Sequence, residues 1–200
     1  MDELTLLDWK RRIFALYAEI RADPDPEHAW RHWRETRDRL FREHPQSPIP
    51  AEARSAYAGA PCFDYDPALR ALATVEPAEH ERREIATSGT KPYAFVRFGR
   101  ARFRLGEADR SLDLYWLEAY AGGLFLSFTD DTSGADTYVA GRYLLDTVKG
   151  ADLGERNGKL VLDFNFAFNP SCSYDPHWVC PLAPPGNRLP AAIRAGERLP

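Results

Sequence analysis

The sequence predicts an α+β fold, in which two N-terminal helices pack on a mainly antiparallel β sandwich or barrel. Three observations predict it. Apolar residues recur at three- and four-residue steps within the first 44 positions, the signature of amphipathic helices. From Phe63 onward short apolar segments alternate with Gly, Asp and Ser turns, which is hairpin punctuation. No βαβ alternation, internal repeat or low-complexity tract interrupts that pattern, so neither a parallel sheet nor a solenoid is expected.

Each element follows from its residues. Residues 4–21 carry Leu6, Trp9, Ile13, Leu16, Tyr17 and Ile20 on one stripe, with Thr5 and Asp8 spaced for a capping box. The DPDP run then ends one helix and starts another, Asp25 suiting the N-cap and Pro26 the first helical position. The second helix runs to about His44, its stripe made of Trp30, Trp33, Arg37, Leu40 and Phe41. An arginine in that stripe is expected to lay its stem on the apolar surface with its head in water; the alternative is a buried carboxylate or ligand anion as its partner. PQSPIP at 45–50 makes an extended connector, and 51–58 a short helical turn. Strands are expected at 69–75, 79–86, 93–98, 101–105, 111–118 and 124–128, with turns at Ser88-Gly89-Thr90, Gly106–Asp109 and Gly122-Gly123. Two short helices cannot bury their stripes alone. The chain is therefore expected to form one domain over 1–200, helical in 1–58 and sheet-forming in 59–200.

Composition narrows the function classes. The chain has 200 residues, 44% hydrophobic and 28% charged, with a net charge of −4. That is ordinary globular composition, and an acidic balance without a basic aromatic face excludes nucleic acid as the expected partner. MDELTLLDWKRR reads as neither signal peptide nor anchor, and no apolar run approaches the ~18 residues of a membrane span. A cytoplasmic monomer or small homo-oligomer is expected, with Cys62, Cys172 and Cys180 as thiols.

The C-terminal stretch DFNFAFNPSCSYDPHWVCPLAPPGN, residues 163–187, is the most informative. Period-two alternation puts Phe164, Phe166 and Phe168 on one strand face, and Asp163, Asn165, Ala167 and Asn169 on the other. The three Phe demand a core. The opposite face is either a solvated strand face or the lining of a polar cleft. Pro170 ends the strand. A second stretch, DDTSGADTYVAGRY at 130–143, reads as a polar loop whose Asp and Ser side chains make its turns, or as a binding loop at the sheet rim. Its spacing does not fit an EF-hand.

Motif chemistry is sparse. GxSxG, GxxxxGK[ST] and GxGxxG are all absent. Cys172-x4-His177-x2-Cys180 misses the paired spacing of structural zinc sites. No cofactor and no tightly held metal is expected. Among carboxylates, Glu118 ends a strand and Asp163 opens the aromatic stretch, so either is a candidate base with a displaced pKa. Arg142 is a candidate partner for one of them.

FLSFTDDTSGADTYVAGRYLLD and the LDFNFAFNPSCSYDPHWVCPLAPPGNRLPAAIRAGE segment after it resemble the prokaryotic domain-of-unknown-function family 1684. The Trp30/Trp33 helix, HPQSPIP and Phe63–Pro67 resemble its N-terminal part. The resemblance implies one domain of this length and no particular activity. The leading expectation is a small-molecule-binding domain with a pocket built from Asp130, Tyr138, Arg142, Asp163, Asn165 and Asn169. A hydrolase using Glu118 or Asp163 as base in the same cleft is the alternative, and an interaction module without a pocket is a third.

Overall fold

The structure, a computed structural model, describes residues 2–118, 120 and 122–199. Helix α1 spans Asp2–Ala22 and helix α2 Pro26–Glu43. Asp25 caps α2 as its residue type predicts, its carboxylate accepting from the N–H groups of Glu27 at 3.0 Å and His28 at 3.1 Å. The expected capping box of α1 does not form. The helix begins at Asp2, so Thr5 lies inside it and donates to the Asp2 carbonyl, while Asp8 pairs with Arg12 and His44.

Among the described residues seven strands follow: β1 Arg70–Ile85, β2 Tyr93–Leu105, β3 Ala108–Leu117, β4 Leu124–Phe128, β5 Arg142–Asp146, β6 Glu155–Arg156 and β7 Lys159–Asp163. They form one antiparallel sheet in the order β5-β4-β3-β2-β1-β7-β6, curled into a half-barrel. The breaks expected near Pro77 and Gly99 are bends in continuous strands. The β1–β2 register shifts between Pro77 and Glu81, and Pro77 lies opposite Gly99. A proline is tolerated at a bulge because no ladder hydrogen bond is asked of it. A Cβ on Gly99 would come within 3.0 Å of the Glu76 carbonyl, so a side chain there would crowd the bend.

The core lies where the two helices meet the sheet. Ile13, Leu16, Trp33 and Leu40 pack with Leu112, Leu114, Leu126, Leu144 and Leu162. Trp33 donates its indole N–H to the Tyr17 hydroxyl at 3.2 Å, so a buried polar edge of the helical pair is satisfied within it. Arg37 departs from expectation. Its side chain is only 12% exposed, and its Nε lies 2.6 Å from the fully buried Glu197. The guanidinium is flanked by the rings of Phe41 at 4.4 Å and Phe168 at 4.8 Å. Burial works against the Arg37 charge, and the Glu197 carboxylate more than offsets it, holding the group above its ordinary value.

The expected aromatic strand is replaced by a 3-10 turn over Phe164–Phe166. The cause is Asp163, whose carboxylate accepts from the Asn165 N–H at 3.1 Å and curls the chain back. Phe164 packs on Phe103 and Phe128, Phe166 on Trp33, and Phe168 on Tyr143, so the three rings serve different parts of the interior. No solvated face remains, because Asn165 and Asn169 are buried as well. Residues 188–199 form neither a named strand nor a loose tail. Leu189, Ile193, Ala195 and Glu197 are buried, and the tail is held by scattered backbone hydrogen bonds, as from Leu189 to Thr129 and from Glu197 to Ala167, together with the Arg142 side chain.

Candidate functional site

The residues singled out in the sequence do not converge on one cleft. Asp130 and Arg142 form a buried ion pair at 2.7 Å, with side-chain exposures of 0% and 1%. Arg142 also donates to the carbonyls of Ile193, Ala195 and Glu197, so it clamps the C-terminal tail. Asp130 accepts from the Thr132 N–H and hydroxyl, which folds the 130–141 loop on itself. This is the turn-making use of the loop, and Arg142 pairs with Asp130 rather than with Glu118 or Asp163. Tyr138 lies 3.8 Å from the Cys172 sulfur.

Glu118 is exposed and bonded to Arg82 at 2.6 Å near the far end of β1, whereas Asp163 pairs in register with Arg70 at its beginning. Twelve residues of a strand bent at Pro77 separate those ends, at most roughly 40 Å at about 3.3 Å each. The two carboxylates proposed as alternative bases therefore do not share a cleft. Asn165 has both ends of its amide committed: Oδ1 accepts from the Asp66 N–H at 2.9 Å, and Nδ2 donates to the Asp66 carbonyl and to Asp163, both at 2.8 Å. It ties the 63–69 connector to the end of β7.

Asp163 is 1% exposed and lines a cleft beside the α1–α2 turn. Burial raises its carboxyl to about 6, against the lowering effect of the Asn165 hydrogen bonds and of Arg70.

Asn169 lies elsewhere, on a second cavity that the sequence did not indicate. This space, about 340 Å³, lies between α1 and the segment 168–180, over the end of β5. From α1 it takes Leu6, Trp9, Ile13 and Leu16; from the sheet side Tyr143, Val148 and Ala151; and from the C-terminal segment Phe168, Trp178 and Val179. Its volume is in the range of small-molecule sites, about 300–1,000 Å³. Few polar groups reach it. Lys10, Arg37 and Lys149 are cationic, against the single carboxylate of Asp146. Asp146 is buried, its carboxyl raised by that burial, with Lys149 at 3.6 Å. Arg37 is neutralised by Glu197, whose second oxygen accepts from the Asn169 N–H at 2.7 Å and the Tyr174 hydroxyl at 3.0 Å. Asn169 donates Nδ2 to the Arg198 carbonyl at 2.7 Å, and its Oδ1 is buried without a hydrogen-bond partner among the described residues. Glu197 and Lys149 carry no motif; only the fold brings the tail and the β5 end to α1.

Cys180 lines this cavity, and its sulfur accepts from the Cys172 N–H at 3.4 Å. All three cysteines are free thiols. His177 is exposed, and no group of three or more His, Cys, Asp or Glu among the described residues is placed to hold a metal ion.

Fold and cavity define an α+β half-barrel protein whose helical pair covers the sheet and leaves an apolar space at one end of it. Residues 55–198 match the family described as "Protein of unknown function (DUF1684)", and the chain belongs to that family. It is similar to the solution NMR structure of an uncharacterised protein from Haloarcula marismortui, at 34% identity, covering 86% of this chain and 93% of that one, with a TM-score of 0.61. No curated protein matches the chain. Among the described residues, no helix is long and apolar enough to cross a membrane.

Proposed function

We propose that this protein binds a small amphipathic anion, its apolar part in the cavity beneath α1 and its charged end against Lys10 and Lys149. The observation that carries the reading is the composition of the cavity wall: mostly aromatic and aliphatic side chains, with Lys10 and Lys149 against the one carboxylate of Asp146, Arg37 being neutralised by Glu197. Burying an apolar chain is worth about 25 cal/mol per Å² removed from water, which supplies affinity. The lysines supply selectivity for the sign of the head group, since Lys10 has no ion-pair partner among the described residues. The buried Oδ1 of Asn169 offers an acceptor to a donor on the ligand. A hydrolase built on Glu118 gains no support, because that side chain is exposed and engaged by Arg82.

The test is thermal shift and calorimetry with decanoate, decanol and decyltrimethylammonium. Decanoate is expected to stabilise the protein, decanol less so, and the ammonium compound not at all. The Lys10→Glu/Lys149→Glu variant should reverse the preference between the charged probes. Ala151→Leu, which narrows the cavity, should weaken decanoate while leaving the circular dichroism spectrum unchanged. Equal responses to all three head groups, or none to decanoate, would contradict the reading.

A further inference from the structure

A second cleft, also about 340 Å³, opens between the turn joining α1 to α2 and the β6–β7 edge of the sheet. Its walls are far more polar than those of the first cavity. Two of its charged groups are committed elsewhere. Arg21 donates to the Asp152 carbonyl at 2.7 Å, and Asp23 is bonded to His28 at 2.5 Å. Glu155, an exposed rim carboxylate beside Arg156, has no ion-pair partner among the described residues, and three further groups remain that can meet a ligand. One is Oδ2 of Asp163. The Oδ1 atom of that carboxylate is held by the Asn165 N–H and side-chain amide, at 3.1 and 2.8 Å. Oδ2 is buried and makes no well-formed hydrogen bond among the described residues, although the Tyr65 side chain lies close enough to help lower the carboxyl's pKa. Arg70 Nε lies 3.4 Å from Oδ2, close enough for charge attraction but without hydrogen-bond geometry. The second group is Arg70 itself, whose side chain is 26% exposed. The third is Arg156, exposed at the rim, with no carboxylate within ion-pair distance among the described residues.

A buried carboxylate oxygen without a well-placed donor is costly, because the charge attraction of Arg70 replaces only part of its lost hydration. Guanidinium groups with free N–H donors favour carboxylate and phosphate oxygens. Valine and phenylalanine, at Val161 and Phe166, contribute apolar wall at this end of the sheet. We propose that this cleft is a binding site for a compact molecule bearing a hydroxyl or ammonium donor next to an anionic group. The donor meets Asp163 Oδ2, and the carboxylate or phosphate meets Arg70 and Arg156. The site is independent of the apolar cavity: its lining shares no residue with that one.

Calorimetry with glycerol 3-phosphate, glycerate and L-serine tests it, with glycerol and inorganic phosphate as probes that each lack one of the two features. At least one of the first three is expected to bind at least tenfold more tightly than either control, and the tighter of the phosphate and carboxylate forms identifies the anion. Asp163→Asn, which keeps an acceptor for Asn165, and Arg156→Ala, a surface change that leaves the fold intact, should each weaken that binding at least tenfold. Decanoate binding should survive both changes, which separates this site from the apolar one. Three outcomes overturn the proposal: no binding by any of the three probes at millimolar concentration, inorganic phosphate binding as tightly as glycerol 3-phosphate, or an unchanged affinity in folded Arg156→Ala.

Discussion

Replacing Arg142 by methionine perturbs the most heavily engaged buried side chain of the candidate set. The guanidinium donates to Asp130 at 2.7 Å, to the Ile193 carbonyl at 2.9 Å, to the Glu197 carbonyl at 3.2 Å, and to the Ala195 carbonyl. Burial pulls its pKa down and the Asp130 carboxylate resists that pull, so the pair persists on geometry and hydrogen bonding. Methionine fills much of the volume, so the cavity contribution is small. What remains is a buried, unpaired Asp130 and three tail carbonyls without donors. Removing one partner of a buried pair costs about 3–5 kcal/mol. The expected loss is therefore at least about 4 kcal/mol, more where the tail carbonyls find no water, which is a large share of a typical domain stability of roughly 5–15 kcal/mol. Urea unfolding monitored by circular dichroism measures it. The double variant Arg142→Met/Asp130→Leu should recover only part of the loss, because the tail carbonyls still lack donors at about 1–3 kcal/mol apiece. Limited proteolysis should release the tail beyond residue 190 in both. A loss under about 1 kcal/mol in the single variant would refute the clamp, since that is within the range of an exposed pair.

Three further outcomes are expected. Asn165→Ala should destabilise by about 2–4 kcal/mol, because it strips hydrogen bonds from the Asp66 N–H and carbonyl and from Asp163; a neutral urea midpoint would return Asn165 to the role of a cleft-facing ligand group. Asp163 gives a pH signature. Its folded pKa, about 6, is raised from the ordinary 3.8, so the native state holds the proton longer than the unfolded chain does. Its contribution to stability is then complete below about 3.8 and lost as pH rises through about 6. Asp163→Asn should gain up to about 3 kcal/mol on the wild type between pH 4 and pH 7, and parallel curves would show that the carboxyl is not displaced. Among the thiols, Cys172 should be alkylated first near neutral pH. A hydrogen bond from Cys180 lowers its thiol below the ordinary value, whereas burial raises that of Cys62. Mass spectrometry of the first modified peptide decides this, and primary labelling at Cys62 would contradict it.

Local signals were legible where a residue acts on its own backbone. Asp25 and Pro26 place the start of α2, and Gly106 with Glu107 makes the β2–β3 turn. Pro77 and Gly99 were also informative, but their meaning depends on facing each other across a ladder, which turns an apparent break into a bend. The aromatic stretch misled because alternation assumes an extended backbone. One carboxylate accepting from the N–H two residues on is enough to curl it. The partners of Arg37 and Arg142 lie 160 and up to 55 positions away. Nothing in the spacing announces such pairings. The sequence therefore supplied Asp163 and Asn169 as polar groups of interest, and folding placed them on two different cavities. The apolar cavity itself was not legible, because its walls come from both ends of the chain and each wall residue, read locally, is ordinary core.

The most direct measurement uses the five tryptophan indole N–H signals in a ¹H–¹⁵N NMR spectrum. Trp9, Trp33 and Trp178 line the apolar cavity, whereas Trp30 and Trp116 do not. Trp116 is 47% exposed and reports any loose adhesion of an amphiphile to the surface. Titration with decanoate below its micelle-forming concentration should move the signals of Trp9, Trp33 and Trp178 along one saturable curve and leave Trp30 and Trp116 in place. Movement led by Trp116, or a spectrum without saturable change, would contradict the assignment of the cavity as a binding site.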